Sequence, residues 1–192
     1  MRNKIIFAIP AFSNDFLILE NNKLRELINE TIQSEDVYAK VLVDKDSPYL
    51  KSIILNKGSK DNVKIGMAIV DKSYLVGKII EVNYTNSRAL LLSDLNSKIP
   101  VLLEPMDIHA VLSGTGKNFG AIEYTREEYK KKLTSNEIIV YTSGYGGLFK
   151  PGLPVGKIIT NDLNRDNKVS FFSDFRQLDY VKIISYEIGS GN

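Results

Sequence analysis

Val140-Tyr-Thr-Ser-Gly-Tyr-Gly-Gly-Leu-Phe-Lys-Pro-Gly-Leu-Pro-Val-Gly156 is the stretch on which the fold reading turns. A strand-like run ends at Thr142-Ser143, and the next thirteen residues carry five glycines and two prolines. Within them a strand resumes, running from Val155 to Ile159. Glycine admits positive φ, whereas proline fixes φ and removes a donor, so this density specifies one elaborate loop between two strands.

Outward from that loop the sequence keeps the period of strands. Short β-rich runs lie at Val37 to Val43, Ser52 to Asn56, Met67 to Val70 and Leu75 to Val82. Others follow at 88–92, 99–103, 110–112, 121–124, 138–141, 155–160, 169–172 and 180–185. Turn clusters such as Lys57 to Asn62 and Asp71 to Ser73 separate them, and this spacing predicts an all-β sandwich or barrel. Residues 125–134, rich in Lys and Glu, read as a solvated turn of helix.

Upstream the period changes. From Asn14 to about Gln33 the spacing is helical, with Leu17, Asn21, Leu24 and Ile28 on one face, widened by Leu27 and Ile32. Read as heptads, Asn21 and Ile28 take a positions and Leu17 and Leu24 take d, the pattern of a short coiled-coil-like helix with one polar a residue to fix register. The alternative is a lone amphipathic helix packed on its own domain. The apolar run Ile5 to Phe12 is interrupted by Pro10 and is too short to cross a bilayer, which takes about 20 residues.

Composition narrows the function. The net charge of +2 on 192 residues argues against nucleic acid, which needs clustered Lys and Arg. With no cysteine there is no disulfide, thiolate metal site or thiol nucleophile, and His109 as the one histidine makes a metal site a poor prospect. We therefore expect neither cofactor nor metal.

In order and spacing, several segments resemble the rod-shape-determining MreC family. They are Ala39 to Val43, Ile54 to Ser59, Val63 to Val70, Leu75 to Ile79, the Leu-Leu-Ser-Asp94 run, Ser97 to Val101, Leu112 to Gly114 and the loop from Thr142 to Gly156. Two departures stand out. Asn62 occupies a common glycine position but tolerates the left-handed conformation, and Lys150 shifts the rigid Pro151 by one. The resemblance implies all-β structure with an N-terminal helix: a segment over 1–35, one small barrel over 36–92 and 174–187, and a second over 93–173. Residues 180–185 would then return to complete the first barrel. It also implies a non-enzymatic scaffold of wall elongation on the periplasmic face of the inner membrane. Its partners would be further copies of itself as a dimer or filament, a penicillin-binding transpeptidase and other rod-shape proteins. The family's membrane anchor and longer coil would precede the stretch seen here, leaving this part soluble. Self-association is expected at Leu17, Asn21, Leu24 and Ile28.

Catalytic readings are weaker. A trypsin-like serine hydrolase using Ser143 and His109 is the alternative, yet no aspartate lies between them and Tyr141-Thr142 replaces the Asp-Gly that precedes such a nucleophile. Gly114 to Asn118 lacks the first glycine and the Ser/Thr of a phosphate loop and reads as a hairpin turn. The carboxylate pairs Asp44/Asp46 and Glu127/Glu128 sit in polar contexts and read as surface charge. A wall-glycan binding module has few aromatic platforms, with no tryptophan at all. Within the loop, Tyr145, Leu148 and Phe149 either fold back to plug a barrel end or form a partner-binding patch, with Tyr145 the most exposed.

Overall fold

Branched aliphatic and leucine side chains at alternate positions build the strands. The computed structural model describes residues 32–33, 36–46, 51–125, 137–147, 149–159, 168–185 and 187–188. They belong to two units, residues 1–33 with 187–192, and residues 34–186. In the first, β1 (Ile32–Gln33) pairs antiparallel with β14 (Glu187–Ile188). The helical spacing that runs to Gln33 thus stops short of Ile32. Backbone groups there bond across to a distant segment, and such tertiary pairing outweighs local propensity. The rest of the expected helix, with Leu17, Asn21, Leu24 and Ile28, lies outside the described residues.

The second unit holds two closed antiparallel barrels of six strands each. One contains β2 (Asp36–Asp46), β3 (Lys51–Leu55), β4 (Ala68–Asp71), β5 (Tyr74–Val82), β6 (Ser87–Leu91) and β13 (Tyr180–Ile184), in the order β13-β2-β3-β6-β5-β4. The other contains β7 (Lys98–Glu104), β8 (Ile108–Gly114), β9 (Phe119–Thr125), β10 (Glu137–Thr142), β11 (Pro154–Ile159) and β12 (Lys168–Phe171), in the order β10-β11-β12-β9-β8-β7. Strand β13 slots between β2 and β4, with Tyr180 opposite Lys40 and Lys182 opposite Val70. The second barrel is therefore an excursion between β6 and β13.

Inward positions fill each barrel: Ala39, Ile53, Ile69, Ile79 and Ile183 in the first, Val101, Leu103, Leu112, Val140 and Ile158 in the second, all buried. Small barrels need sharply coiled strands, and the ladder shifts register at Val41/Val43, Ile69/Val70 and Ile79/Glu81 in the first. The second shifts at Val111/Leu112 and Val140/Tyr141. Such bulges bend a strand and raise its twist, which lets six strands close.

The crossover from β6 to β7 is held from both sides. Buried Asp94 accepts the Lys51 N–H at 2.7 Å through Oδ2, and the Asn96 N–H at 2.7 Å through Oδ1. From the second barrel, the Gly114 N–H donates to the Ser97 carbonyl at 3.0 Å and the Gly116 N–H to the Ser93 carbonyl at 2.8 Å. A Cβ on Gly114 would stand 1.9 Å from the Asp94 carbonyl oxygen, so only glycine allows this approach. Tyr74 and Phe172 add a ring contact at 5.1 Å where the chain leaves β12.

Candidate functional site

The loop between β10 and β11 is organised by Thr142, which is buried. Its N–H donates to the Leu153 carbonyl at 2.9 Å, and its carbonyl accepts the Gly152 N–H at 2.9 Å. Its Oγ1 donates to the Lys150 carbonyl at 2.6 Å and accepts the Leu153 N–H at 2.9 Å. A short side chain with one donor and two lone pairs can do both at once. Gly144, Gly146 and Gly147 all take positive φ, and the Pro151 ring packs against Gly144.

This scaffold separates the aromatic residues of the loop. Phe149 is 1% exposed and belongs to the core, so its ring is not offered to a partner. That corrects the expectation of a partner-facing Phe149: Pro151 and the Thr142 bonds turn the chain inward, and burying an aromatic ring is strongly favourable. Tyr145 stands 66% exposed at the start of a tight turn, Tyr145–Gly147. Leu148 lies outside the described residues.

Tyr145 reaches toward the barrel wall, where its ring centroid is 6.3 Å from that of His109, tilted by 60°. His109 is an exposed strand residue on β8, opposite Leu102 on β7, which in turn is opposite Tyr141 on β10. On one side of this row Pro100 is opposite Val111, and on the other Ile139 is opposite Glu104. All these side chains sit on the outer surface of the second barrel, and Pro100, Leu102, Val111, Ile139 and Tyr141 are half-buried. Outward positions of a water-facing sheet are normally polar, so five adjacent apolar ones beside Tyr145 make an exceptional patch. Charges border it along β7. Glu104 lies at one end, and at the other Lys98 bonds Glu123 at 3.0 Å, holding that carboxyl below its usual range with help from Ser113.

The β2/β13 surface offers a contrast. Tyr38 and Tyr180 are 71% and 62% exposed, but Tyr38 is opposite Lys182 and Tyr180 is opposite Lys40. Tyrosine and lysine alternate there, and among the described residues the lysines separate the two rings.

Among the described residues Ser143 and His109 share no hydrogen bond. Ser143 Oγ accepts the Tyr145 N–H at 3.2 Å, a local turn contact, while its own N–H donates to the Pro100 carbonyl at 3.2 Å. The ring beside His109 is that of Tyr145. The sequence singled out Tyr145 but not Pro100, Leu102, Val111, Ile139 and Tyr141, whose runs read only as strands.

Comparison with known proteins places this geometry. Residues 41–185 match the family model described as rod shape-determining protein MreC, barrel core. The cell shape-determining protein MreC of Cereibacter sphaeroides is 34% identical over 149 residues, covering 77% of this chain and 48% of that protein. The chain thus spans about half the length of that curated relative. The MreC structure from Listeria monocytogenes superposes with a TM-score of 0.75 at 21% identity, covering 93% of this chain and 90% of that one. A chain from the complex between penicillin-binding protein PBP2 and MreC of Helicobacter pylori superposes with a TM-score of 0.55 at 12% identity, over 79% of this chain and 98% of that one. At these identities the two structures show a shared fold. Among the described residues no helix is long and apolar enough to cross a membrane.

Proposed function

The chain belongs to the rod shape-determining MreC family, and from that premise we propose that it is the barrel portion of a non-enzymatic scaffold for bacterial cell-wall elongation. It works on the periplasmic side of the inner membrane by holding wall-synthesis enzymes and further copies of itself. Residues 36–92 with 174–187 act as one folding domain and residues 93–173 as the other. The coil residues Leu17, Asn21, Leu24 and Ile28 carry self-association.

Its enzyme partner is a penicillin-binding transpeptidase, a reading that takes its cue from the Helicobacter pylori complex, with other rod-shape proteins joining the assembly. The observation that carries the proposal is the apolar outer face of the second barrel with Tyr145 standing beside it. An aromatic anchor on a rigid loop loses little side-chain entropy on docking, and a surrounding apolar area excludes water from the contact. The use of the Ser143 hydroxyl in a turn supports a non-catalytic role, because a serine without a base is a poor nucleophile.

Titration of this chain against the periplasmic region of its cognate transpeptidase tests the proposal, with Tyr145→Asp as control. Saturable binding that the substitution weakens is expected. Equal binding by both forms would remove Tyr145 from the contact, and labelling of Ser143 by a fluorophosphonate would overturn the non-enzymatic reading.

A further inference from the structure

The apolar face of the second barrel is asymmetric in charge, and this asymmetry defines what can lie on it. Glu104 projects from the same outward row of β7 as Pro100 and Leu102 and sits opposite Ile139. Asp107 is exposed in the turn that leads from Glu104 into β8, two residues before His109. Neither carboxylate has an ion-pair partner among the described residues. At the opposite end, Lys98 and Glu123 neutralise one another at 3.0 Å. Beyond Ile139, Lys157 and Glu137 neutralise one another at 2.8 Å. The face therefore runs from a neutral end, through an apolar centre, to an end where Glu104 and Asp107 leave an excess of negative charge among the described residues.

We infer that the segment docking on this face is apolar and ends in a lysine or arginine that meets Glu104 and Asp107. The inference rests on the docking role proposed above and specifies the chemistry of the partner. A partner that covers Leu102 and Ile139 also takes water from Glu104. An apolar group there would strand a carboxylate without its hydration, and an acidic one would repel it. A basic group answers both costs, with arginine favoured by its fork of donors. Outward positions on a strand recur every two residues, so Pro100, Leu102 and Glu104 span roughly 13 Å. The partner segment accordingly presents two apolar side chains followed by one basic side chain, each about 6–7 Å from the last.

The test uses two variants against the periplasmic region of the cognate transpeptidase, each first shown to melt cooperatively. Glu104→Lys with Asp107→Lys leaves the apolar centre intact and reverses its acidic end. Leu102→Asp breaks the centre. The double reversal is expected to weaken binding about tenfold at low salt and to flatten or invert its salt dependence, since rim charges act on association and screening. Leu102→Asp is expected to abolish binding. If Leu102→Asp abolishes binding while the double reversal changes neither affinity nor salt dependence, the basic end is wrong and the docking face stands. If neither variant changes binding, the docking face itself falls. A second probe does not depend on the transpeptidase: short peptides of alternating leucine and serine, ended by arginine or by glutamate, titrated while amide resonances are followed. Shifts at Leu102, Glu104 and Ile139 with the arginine peptide alone support the inference, and equal shifts with both overturn it.

Discussion

Thr142 and Leu153 exchange two hydrogen bonds across the neck of the glycine-rich loop, from the Thr142 N–H to the Leu153 carbonyl and from the Leu153 N–H to Thr142 Oγ1, each 2.9 Å. The same hydroxyl donates to the Lys150 carbonyl, so one buried side-chain oxygen fixes both ends of the descending arm. Replacing Thr142 by valine keeps the shape and removes the hydroxyl, leaving a backbone donor and a backbone acceptor without their partner. A loss of about 1–3 kcal/mol is expected from denaturant midpoints, and Thr142→Ser should recover most of it. An unchanged midpoint in the valine variant would show that the hydroxyl does not hold the loop.

Tyr145 and Phe149 are four positions apart and should respond in opposite ways. Phe149→Ala empties a site inside the core and is expected to cost about 3–5 kcal/mol. Tyr145→Ala removes an exposed ring and is expected to stay within about 0.5 kcal/mol of the parent, so its effect appears in partner binding alone. Thermal melts of the two variants side by side decide this. Similar losses in both would mean that Tyr145 is a packing residue.

Gly114→Ala tests the joint between the barrels. The new methyl would meet the backbone carbonyl oxygens of Asp94 and Leu92 at 1.9 and 2.6 Å, and neither can rotate away as a side-chain tip would. Forcing them apart is expected to cost at least about 1–3 kcal/mol. Hydrogen exchange should then speed at the amides of Gly114, Gly116 and Lys51, whose acceptors lie in the crossover. Parental melting and parental protection together would show that the approach is looser than described.

Three carboxylates at the protein surface, of which Asp61 is partly buried, set an acid limit. Asp61 is held low by its hydrogen bonds to the Lys57 ammonium and the Gly58 N–H, Glu123 by Lys98 and then Ser113, and Asp174 by the side chain and then the N–H of Arg176. Each is more acidic folded than unfolded. Its contribution is therefore complete above the ordinary carboxylate range of about 4 and is lost as pH falls through the depressed folded value. The melting temperature should show no loss from these groups between neutral pH and about 5, then drop below about 4, with added salt reducing the drop. Lys98→Met should shrink Glu123's share of that drop, and an identical acid limb in the variant would count against this cause.

Much of the fold was legible because strands announce themselves by period two and by their turns. The twelve β-rich runs from Val37 to Ser185 all contain strands, and Asn62 takes the left-handed φ of 62° that its side chain tolerates. The candidate site was less legible for a physical reason. Ile99 to Leu103 is apolar at every position, and such a run reads as a strand buried on both sides. Only the register, with Val101 inside and Leu102 outside, reveals an apolar outer surface. Phe149 illustrates the complementary limit, since a large residue in a glycine-rich loop can turn either way until its hydrogen bonds are known. Asp94 entered the sequence reading only as the end of the Leu-Leu-Ser-Asp run, and its tie to the Lys51 amide spans 43 residues, beyond any local pattern.

The return of β13 has a consequence for biogenesis. The first barrel begins with β2 yet waits for residues 180–184 before its last gap is filled. Until that strand emerges from synthesis or export, the edges of β2 and β4 carry unpaired peptide groups, while the intervening barrel already has all its own strands. A nascent chain therefore spends that interval half-made, its first-written part finished last. Holding chaperones would find their substrate in that interval, and a stop codon a few residues before Tyr180 would spare one barrel and leave the other permanently open.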